Sequence, residues 1–180
     1  MDKSAIRRTS LEELKGLSAE EREVWSKLAI NRLCALPSYQ EAAVLATYLS
    51  LPHECDTAYL IEQAQKDGKT IVIPKTYSHG RMIFVEYKAD DLEETKFGTL
   101  EPRSDLEIPA EQIDLIHVPG LAWNADGYRI GYGGGYYDRY LARYQGATVS
   151  SLLKSQLVDF QSDKHDKPVE EMIIIESVHQ

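Results

Sequence analysis

Four glycines crowd into five residues at Gly131, Gly133, Gly134 and Gly135, between Arg129 and the tyrosine pair Tyr136-Tyr137. Consecutive glycines let backbone N–H groups approach an anion closely. A helix start that follows adds free donors and the positive end of its dipole. A plain strand-to-helix turn needs positive φ at one or two positions, whereas four glycines suggest backbone crowded against a ligand. Arg129 and Arg139 can neutralise phosphate, and Asp138 can hold Mg²⁺ against phosphate oxygens. On a helix surface, residues such as Asp138 and Arg139 are more often just solvated charges. Tyr136 and Tyr137 either stack on a flat ligand or bury the helix start. Two familiar anion loops do not fit. No lysine follows the glycines as a P-loop requires, and Tyr136 occupies the third glycine position of GxGxxG.

Two further segments carry usable groups. Lys3 and Arg7 are four apart and share a helix face, where they either grip a polyphosphate or form a solvated edge. In Leu51-Pro-His-Glu-Cys-Asp-Thr57, Glu54 and Asp56 stand where amino groups of a ligand could be read; capping of the next helix is the alternative for Asp56 and Thr57. There is no HExxH, GxSxG or metal-spaced Cys/His pattern, and His53, His79, His117, His165 and His179 are scattered. His117 reads as a packed strand residue. With no evident nucleophile, chemistry has to come from positioning and charge stabilisation, as in phosphoryl transfer.

The elements that position these groups alternate. Residues 3–15 and 19–35 read as helices, the second opened by the capping box Ser18-Ala-Glu-Glu21 and closed before Pro37. Residues 43–49, 70–74, 82–87, 114–119, 147–153 and 172–176 read as strands. Residues 57–67 and 136–144 read as helices, the first with Thr57 as N-cap and Gly68 after its end. Residues 88–112 read as mostly loop, and 120–135 as loop or turn. This alternation predicts an α/β/α layered fold around a largely parallel sheet, with ligands at the carboxyl ends of strands, where loop 119–135 begins.

Length and composition are consistent with one domain spanning residues 1–180: 43% hydrophobic and 27% charged residues, without a biased tract. No apolar run is long enough to span a membrane, and the N-terminus lacks the stretch of a secretory signal. Cys34 and Cys55 are too few for a disulfide scaffold, so a cytoplasmic, reducing location is expected. The net charge of −9 opposes nucleic-acid binding. Most of it, −7, lies between Glu86 and Asp114, so an anionic ligand can still meet local basic groups.

The segment Pro119–Leu141 resembles the signature of the 5-formyltetrahydrofolate cyclo-ligases, through Pro119, Gly120, Ala122, Gly127, Arg129, Gly131, Gly133, Gly135, Tyr136, Tyr137 and Asp138. Lys3 with Arg7, Glu54 with Asp56 and Thr57, Glu101-Pro102 and His165-Asp166 extend the resemblance along the chain. It implies a fold of the phosphosugar-isomerase and CoA-transferase type. It also implies conversion of 5-formyltetrahydrofolate, with or without a polyglutamate tail, to 5,10-methenyltetrahydrofolate at the expense of ATP with Mg²⁺. By resemblance, Lys3, Arg7, Arg129, Ile130, Gly131, Tyr132, Gly133, Gly134, Gly135, Tyr136 and Tyr137 hold ATP. Leu51, Glu54, Asp56 and Tyr136 face the folate, Asp138 and Glu170 bind Mg²⁺, and Arg129, Tyr136 and Asp138 are catalytic. Trp123-Asn124 replaces the family's Phe-Asp, Val169-Glu170 its Val-Asp, and Gly134 a lysine of some members. A monomer acting on small molecules is expected. The rival readings are an isomerase or transferase of the same fold without ATP, and a non-catalytic anion-binding module.

Overall fold

The computed structural model describes residues 2–178, so His179 lies outside it. In chain order the elements are α1 (Lys3–Lys15), α2 (Ala19–Cys34), α3 (Pro37–Glu41), β1 (Val44–Ala46), α4 (Ala58–Lys66), β2 (Thr70–Thr76), β3 (Met82–Glu86), β4 (Leu92–Glu94) and β5 (Leu100–Pro102). They continue with β6 (Leu115–His117), β7 (Ala122–Trp123), β8 (Arg129–Ile130), α5 (Tyr136–Leu141), β9 (Ala147–Leu153) and β10 (Glu171–Ile175). The central sheet runs β10-β9-β6-β1-β2-β3. All its pairings are parallel except β2 with β3, which is antiparallel. The expected mixed α/β architecture is therefore present.

Apolar residues cover both faces. On one, Trp25, Ala29 and Leu33 of α2 and Leu60 of α4 pack on Leu45, Ile71 and Leu115. On the other, Tyr140 and Leu141 of α5 pack on Val72, Phe84 and Ile116. Adjacent parallel strands continue in opposite directions here: β1 leads to β2 on one side, and β6 leads to β9 on the other. Such a reversal opens a crevice at the carboxyl ends. Both chemically suggestive loops, 47–57 after β1 and 118–135 after β6, leave the sheet at that point.

Several local expectations are corrected. Pro37 does not simply end a helix; it begins the short α3, with Pro at the first helical position, where its missing N–H costs nothing. Residues 88–112 contain the β4–β5 hairpin, whose register Leu92↔Pro102 to Glu94↔Leu100 is three pairs long and half glutamate, too short to show an apolar alternation. Residues 120–135 contain the β7–β8 hairpin. Thr57 stands at the N-cap of α4 without capping it; its hydroxyl donates inward to the Tyr48 carbonyl and accepts from Ser50 N–H. The Ser18–Glu21 capping box is formed as expected.

Candidate active site

The β7–β8 hairpin sets the first wall. Asn124 Oδ1 accepts from the N–H groups of Asp126 (3.0 Å) and Tyr128 (3.1 Å), shaping the tip. Its amide Nδ2 donates to the Phe160 carbonyl at 3.2 Å, a bond a carboxylate could not make. Gly127 is required twice over: its φ is +88°, and a Cβ would lie 2.5 Å from the Val169 carbonyl oxygen. Opposite Trp123 in this hairpin, Arg129 is drawn into the interior and is only 8% exposed. Its Nη1 donates to the Pro119 carbonyl at 3.0 Å and its guanidinium lies 5.3 Å from the Tyr137 ring centre, but Nε has no partner. Burial pulls the Arg129 pKa down, and nearby Asp138 opposes that.

The glycine loop follows directly. The N–H groups of Tyr132, Gly133, Gly134 and Gly135 donate to no protein acceptor among the described residues. Gly133 has φ +102° and Gly135 φ +72°, so the loop presents its backbone rather than side chains. Its carbonyls are held from behind. Gly131 accepts from Arg7 Nε at 2.8 Å, and Gly134 from Arg139 Nη1 at 3.1 Å. Helix α1 is docked by Ile6, which packs with Ala122 and Ile130 of the hairpin, so Arg7 reaches the loop and Lys3 lines the cavity beside it. Lys3 pairs with Asp163 and, at 3.5 Å, with Asp166. The hydrogen bond to Asp163 raises the Lys3 pKa and lowers that of Asp163.

Asp138 lies in the first turn of α5. Burial raises its pKa; Arg129 lowers it and Asp166 raises it again. Its Oδ1 is buried without a partner. A cavity of about 320 Å³ unites Lys3, Arg7, Arg129, Ile130, Gly131 through Tyr137 and Asp138 with Asp163 and Asp166, and Pro74 and Met82 give it an apolar flank. Three of the six unpartnered buried side-chain polar atoms among the described residues belong to this lining: Arg129 Nε, Tyr137 OH and Asp138 Oδ1. Buried polar groups are rarely left unpaired without a reason. Here three such atoms gather around one cavity.

The second loop joins through Tyr132. Its hydroxyl donates to Glu54 Oε2 at 3.0 Å, and His53 Nε2 lies 2.6 Å from the Tyr132 hydroxyl oxygen. Glu54 is 7% exposed, and burial pushes its pKa up. Its other oxygen accepts from Leu51 N–H at 2.7 Å. Asp56 caps α4 through Ala58 N–H at 3.1 Å, the structural alternative for that residue. None of Leu51, Glu54 and Asp56 lines the cavity itself; their loop meets it through the Glu54–Tyr132 hydrogen bond. Arg22, which sequence reasoning did not single out, clasps this loop: Nε donates to the Glu54 carbonyl at 2.6 Å, Nη2 to Leu51 at 3.1 Å, and Nη1 lies 3.7 Å from Asp56.

Glu170 is not brought to Asp138. It is exposed at the start of β10, with its N–H bonded to Thr148 Oγ1 at 2.8 Å, and it does not line the cavity. Asp166 stands there instead, and the His165-Asp166 pair was the available signal. No group of three or more His, Cys, Asp or Glu residues among the described residues is arranged to hold a metal. Two carboxylates, one with an unpartnered oxygen, fit an ion that keeps several waters and takes substrate phosphates as ligands, as Mg²⁺ does.

The profile of the 5-formyltetrahydrofolate cyclo-ligase family matches residues 1–175. The chain belongs to this family. A 5-formyltetrahydrofolate cyclo-ligase of Mus musculus is 30% identical over 191 residues, covering 97% of this chain and 94% of its own. One from Escherichia coli K12 is 31% identical over 136 residues, covering 73% and 75%. Among solved structures, the 5,10-methenyltetrahydrofolate synthetase of Aquifex aeolicus superposes with a TM-score of 0.85 at 30% identity, covering 100% of this chain and 94% of its own. That of Mycoplasma pneumoniae gives 0.80 at 26%, covering 96% and 98%. This cyclo-ligase family member is therefore an enzyme, and no helix among its described residues is long and apolar enough to cross a membrane.

Proposed function

We propose that this enzyme converts 5-formyltetrahydrofolate to 5,10-methenyltetrahydrofolate, consuming ATP and releasing ADP and phosphate. The observation that carries the reading is the cavity in which Arg129 Nε, Asp138 Oδ1 and four loop N–H groups all lack protein partners. Donors fixed in advance around a shielded space stabilise developing phosphoryl charge without reorganising. The loop N–H groups and Arg129 bind phosphate oxygens, Arg7 adds charge from α1, and Lys3 exchanges Asp163 for phosphate. Glu54, steadied by Tyr132 and Leu51, faces the folate beside Tyr136.

The formyl oxygen takes the γ-phosphoryl group, its bond to ADP breaking. Nitrogen 10 then attacks the activated carbon, its proton passes to solvent, and phosphate departs. Asp138 and Asp166 would hold Mg²⁺, which when bound neutralises charge on the phosphoryl oxygens. We further propose a single-domain monomer in the cytoplasm; the free thiols Cys34 and Cys55 suit a reducing compartment.

The test follows ADP, phosphate and methenyl product together. Each is expected only when 5-formyltetrahydrofolate, ATP and Mg²⁺ are all present. Product formed without nucleotide, or accompanied by AMP and pyrophosphate, overturns the reading.

A further inference from the structure

The two loops of the site are held very differently. The 51–57 loop is clasped to α2. Besides the three contacts of Arg22, the fully buried Ser26 Oγ accepts from Asp56 N–H at 2.8 Å and donates to the Arg22 carbonyl at 2.7 Å. The glycine loop has no such clasp. Arg7 and Arg139 meet it at the carbonyls of Gly131 and Gly134, and its glycines leave many backbone conformations open.

The side chain this loop does carry belongs to Tyr132. Its ring lines the cavity and is half exposed, while its hydroxyl reaches across to two consecutive residues of the 51–57 loop. That hydroxyl has one proton, directed at Glu54 Oε2, so His53 Nε2 faces its lone pair as a donor. The His53 ring stands edge-on to the tyrosine, the two centres 6.0 Å apart. Burial, with Glu54 beside it, pushes the Tyr132 pKa up and keeps the proton in place. The hydroxyl is therefore gripped from both sides by a loop that is itself fixed.

Glu54 retains capacity beyond this grip. A carboxylate offers about four acceptor sites. Leu51 N–H takes one on Oε1 and Tyr132 one on Oε2, so N–H groups of a ligand can join without displacing the tyrosine. A ligand seated on Glu54 then immobilises the carboxylate that Tyr132 holds. The glycine loop, ordered through the hydroxyl, loses less freedom when phosphate arrives, and such shared ordering makes two ligands bind cooperatively.

We propose that the Tyr132 hydroxyl is a tether through which a ligand seated on Glu54 tightens nucleotide binding at the glycine loop. Tyr132 is in this sense a positioning residue that couples the two substrates. The inference rests on the folate reading of Glu54.

The test is calorimetry with Mg²⁺ and β,γ-methylene-ATP, whose terminal group cannot be transferred, in the wild type and in Tyr132→Phe. Each is titrated with and without saturating 5-formyltetrahydrofolate. Phenylalanine keeps the ring, and a half-exposed position leaves the fold intact. In the wild type the folate should tighten nucleotide binding about fivefold, and the nucleotide should tighten folate binding by the same factor. In the variant both factors should fall below about twofold. A wild-type factor already that small, or a larger one that survives the substitution, overturns the proposal. Failure of 5-formyltetrahydrofolate to bind the wild type instead defeats the functional reading, and the nucleotide analogue alone then reads the tether. Binding about threefold or more weaker in the variant, as loss of one neutral hydrogen bond gives, supports the proposal, and unchanged affinity overturns it. Absence of analogue binding to the wild type overturns both readings.

Discussion

Two polar clusters sit side by side near the carboxyl ends of β1 and β6. In the first, buried His117 has both ring nitrogens satisfied, Nδ1 by Thr47 Oγ1 and Nε2 by Ser151 Oγ, each at 2.9 Å, and Tyr48 stacks on its face at 5.0 Å. In the second, Arg129 is buried and Tyr137 and Asp138 are half-buried, and each keeps one buried polar atom unpartnered. Burial alone does not separate them, and neither does residue type, since histidine is the commoner catalytic group. Completion separates them. A closed hydrogen-bond network stabilises the fold, and an open one awaits a ligand.

Substitutions should therefore act on activity in one cluster and on stability in the other. The largest catalytic effect is expected at Asp138. Asp138→Asn should reduce kcat/KM at saturating Mg²⁺ by about 100-fold or more, with a Tm no lower than wild type, because burial already disfavours the charged carboxylate. Asp166→Asn should fall in the same direction and Glu170→Gln stay within about twofold, which checks the metal pair.

Arg7→Ala comes next. It removes a charge-assisted bond worth about 1.5–3 kcal/mol, so kcat/KM for ATP should drop roughly 10- to 150-fold. A loss under twofold in steady-state assays would return Arg7 to the solvated surface.

Gly133→Ala probes the cradle. The nearest atoms to an added Cβ belong to the Arg7 guanidinium at 3.7 Å, so the cost to the fold is the strained φ alone. That is about 1–2 kcal/mol and a few degrees in Tm. ATP affinity by calorimetry should weaken by about tenfold or more, since one lost charge-assisted bond already gives that. Wild-type affinity in the folded variant would sink the phosphate cradle.

The smallest catalytic effect belongs to His117→Phe, which should leave kcat/KM of the folded enzyme within about twofold while costing about 1–3 kcal/mol for each hydroxyl left unpaired. Burial pulls the His117 pKa down to about 3. The unfolded chain binds this proton near its usual pKa of about 6.5 and the folded one does not. Stability is therefore full above that value and falls as pH drops towards 3. Chemical denaturation across this range should show a shallower acid limb in the variant.

The glycine run was legible because its chemistry lies in the backbone, which a run of residues without side chains advertises. Lys3 with Arg7 was legible from helical spacing, and the sheet from short apolar runs between capped helices. Arg22 was not, because an arginine on an amphipathic helix looks solvated until the loop it clasps is folded beside it. Nor was Asp166 preferred to Glu170: residues 158–170 have no periodicity to fix which acid turns inward. The β7–β8 hairpin was hidden for a different reason. It is two pairs long and held from outside, by Val158 N–H on the Trp123 carbonyl at 2.7 Å and Val169 N–H on that of Gly127 at 2.9 Å.

Those clasps bear on the order in which the molecule can be made. Lys3 meets Asp163 across 160 positions of sequence, and the hairpin carrying Arg129 is fastened by residues 158 and 169. Contacts this remote form late, after nearer ones have reduced the entropy of closing so long a loop. A chain emerging residue by residue can align β1, β2, β3 and β6 while its ligand cavity still lacks a wall. The cavity becomes complete only when nearly the whole chain has been synthesised, so no partly made chain presents its full lining.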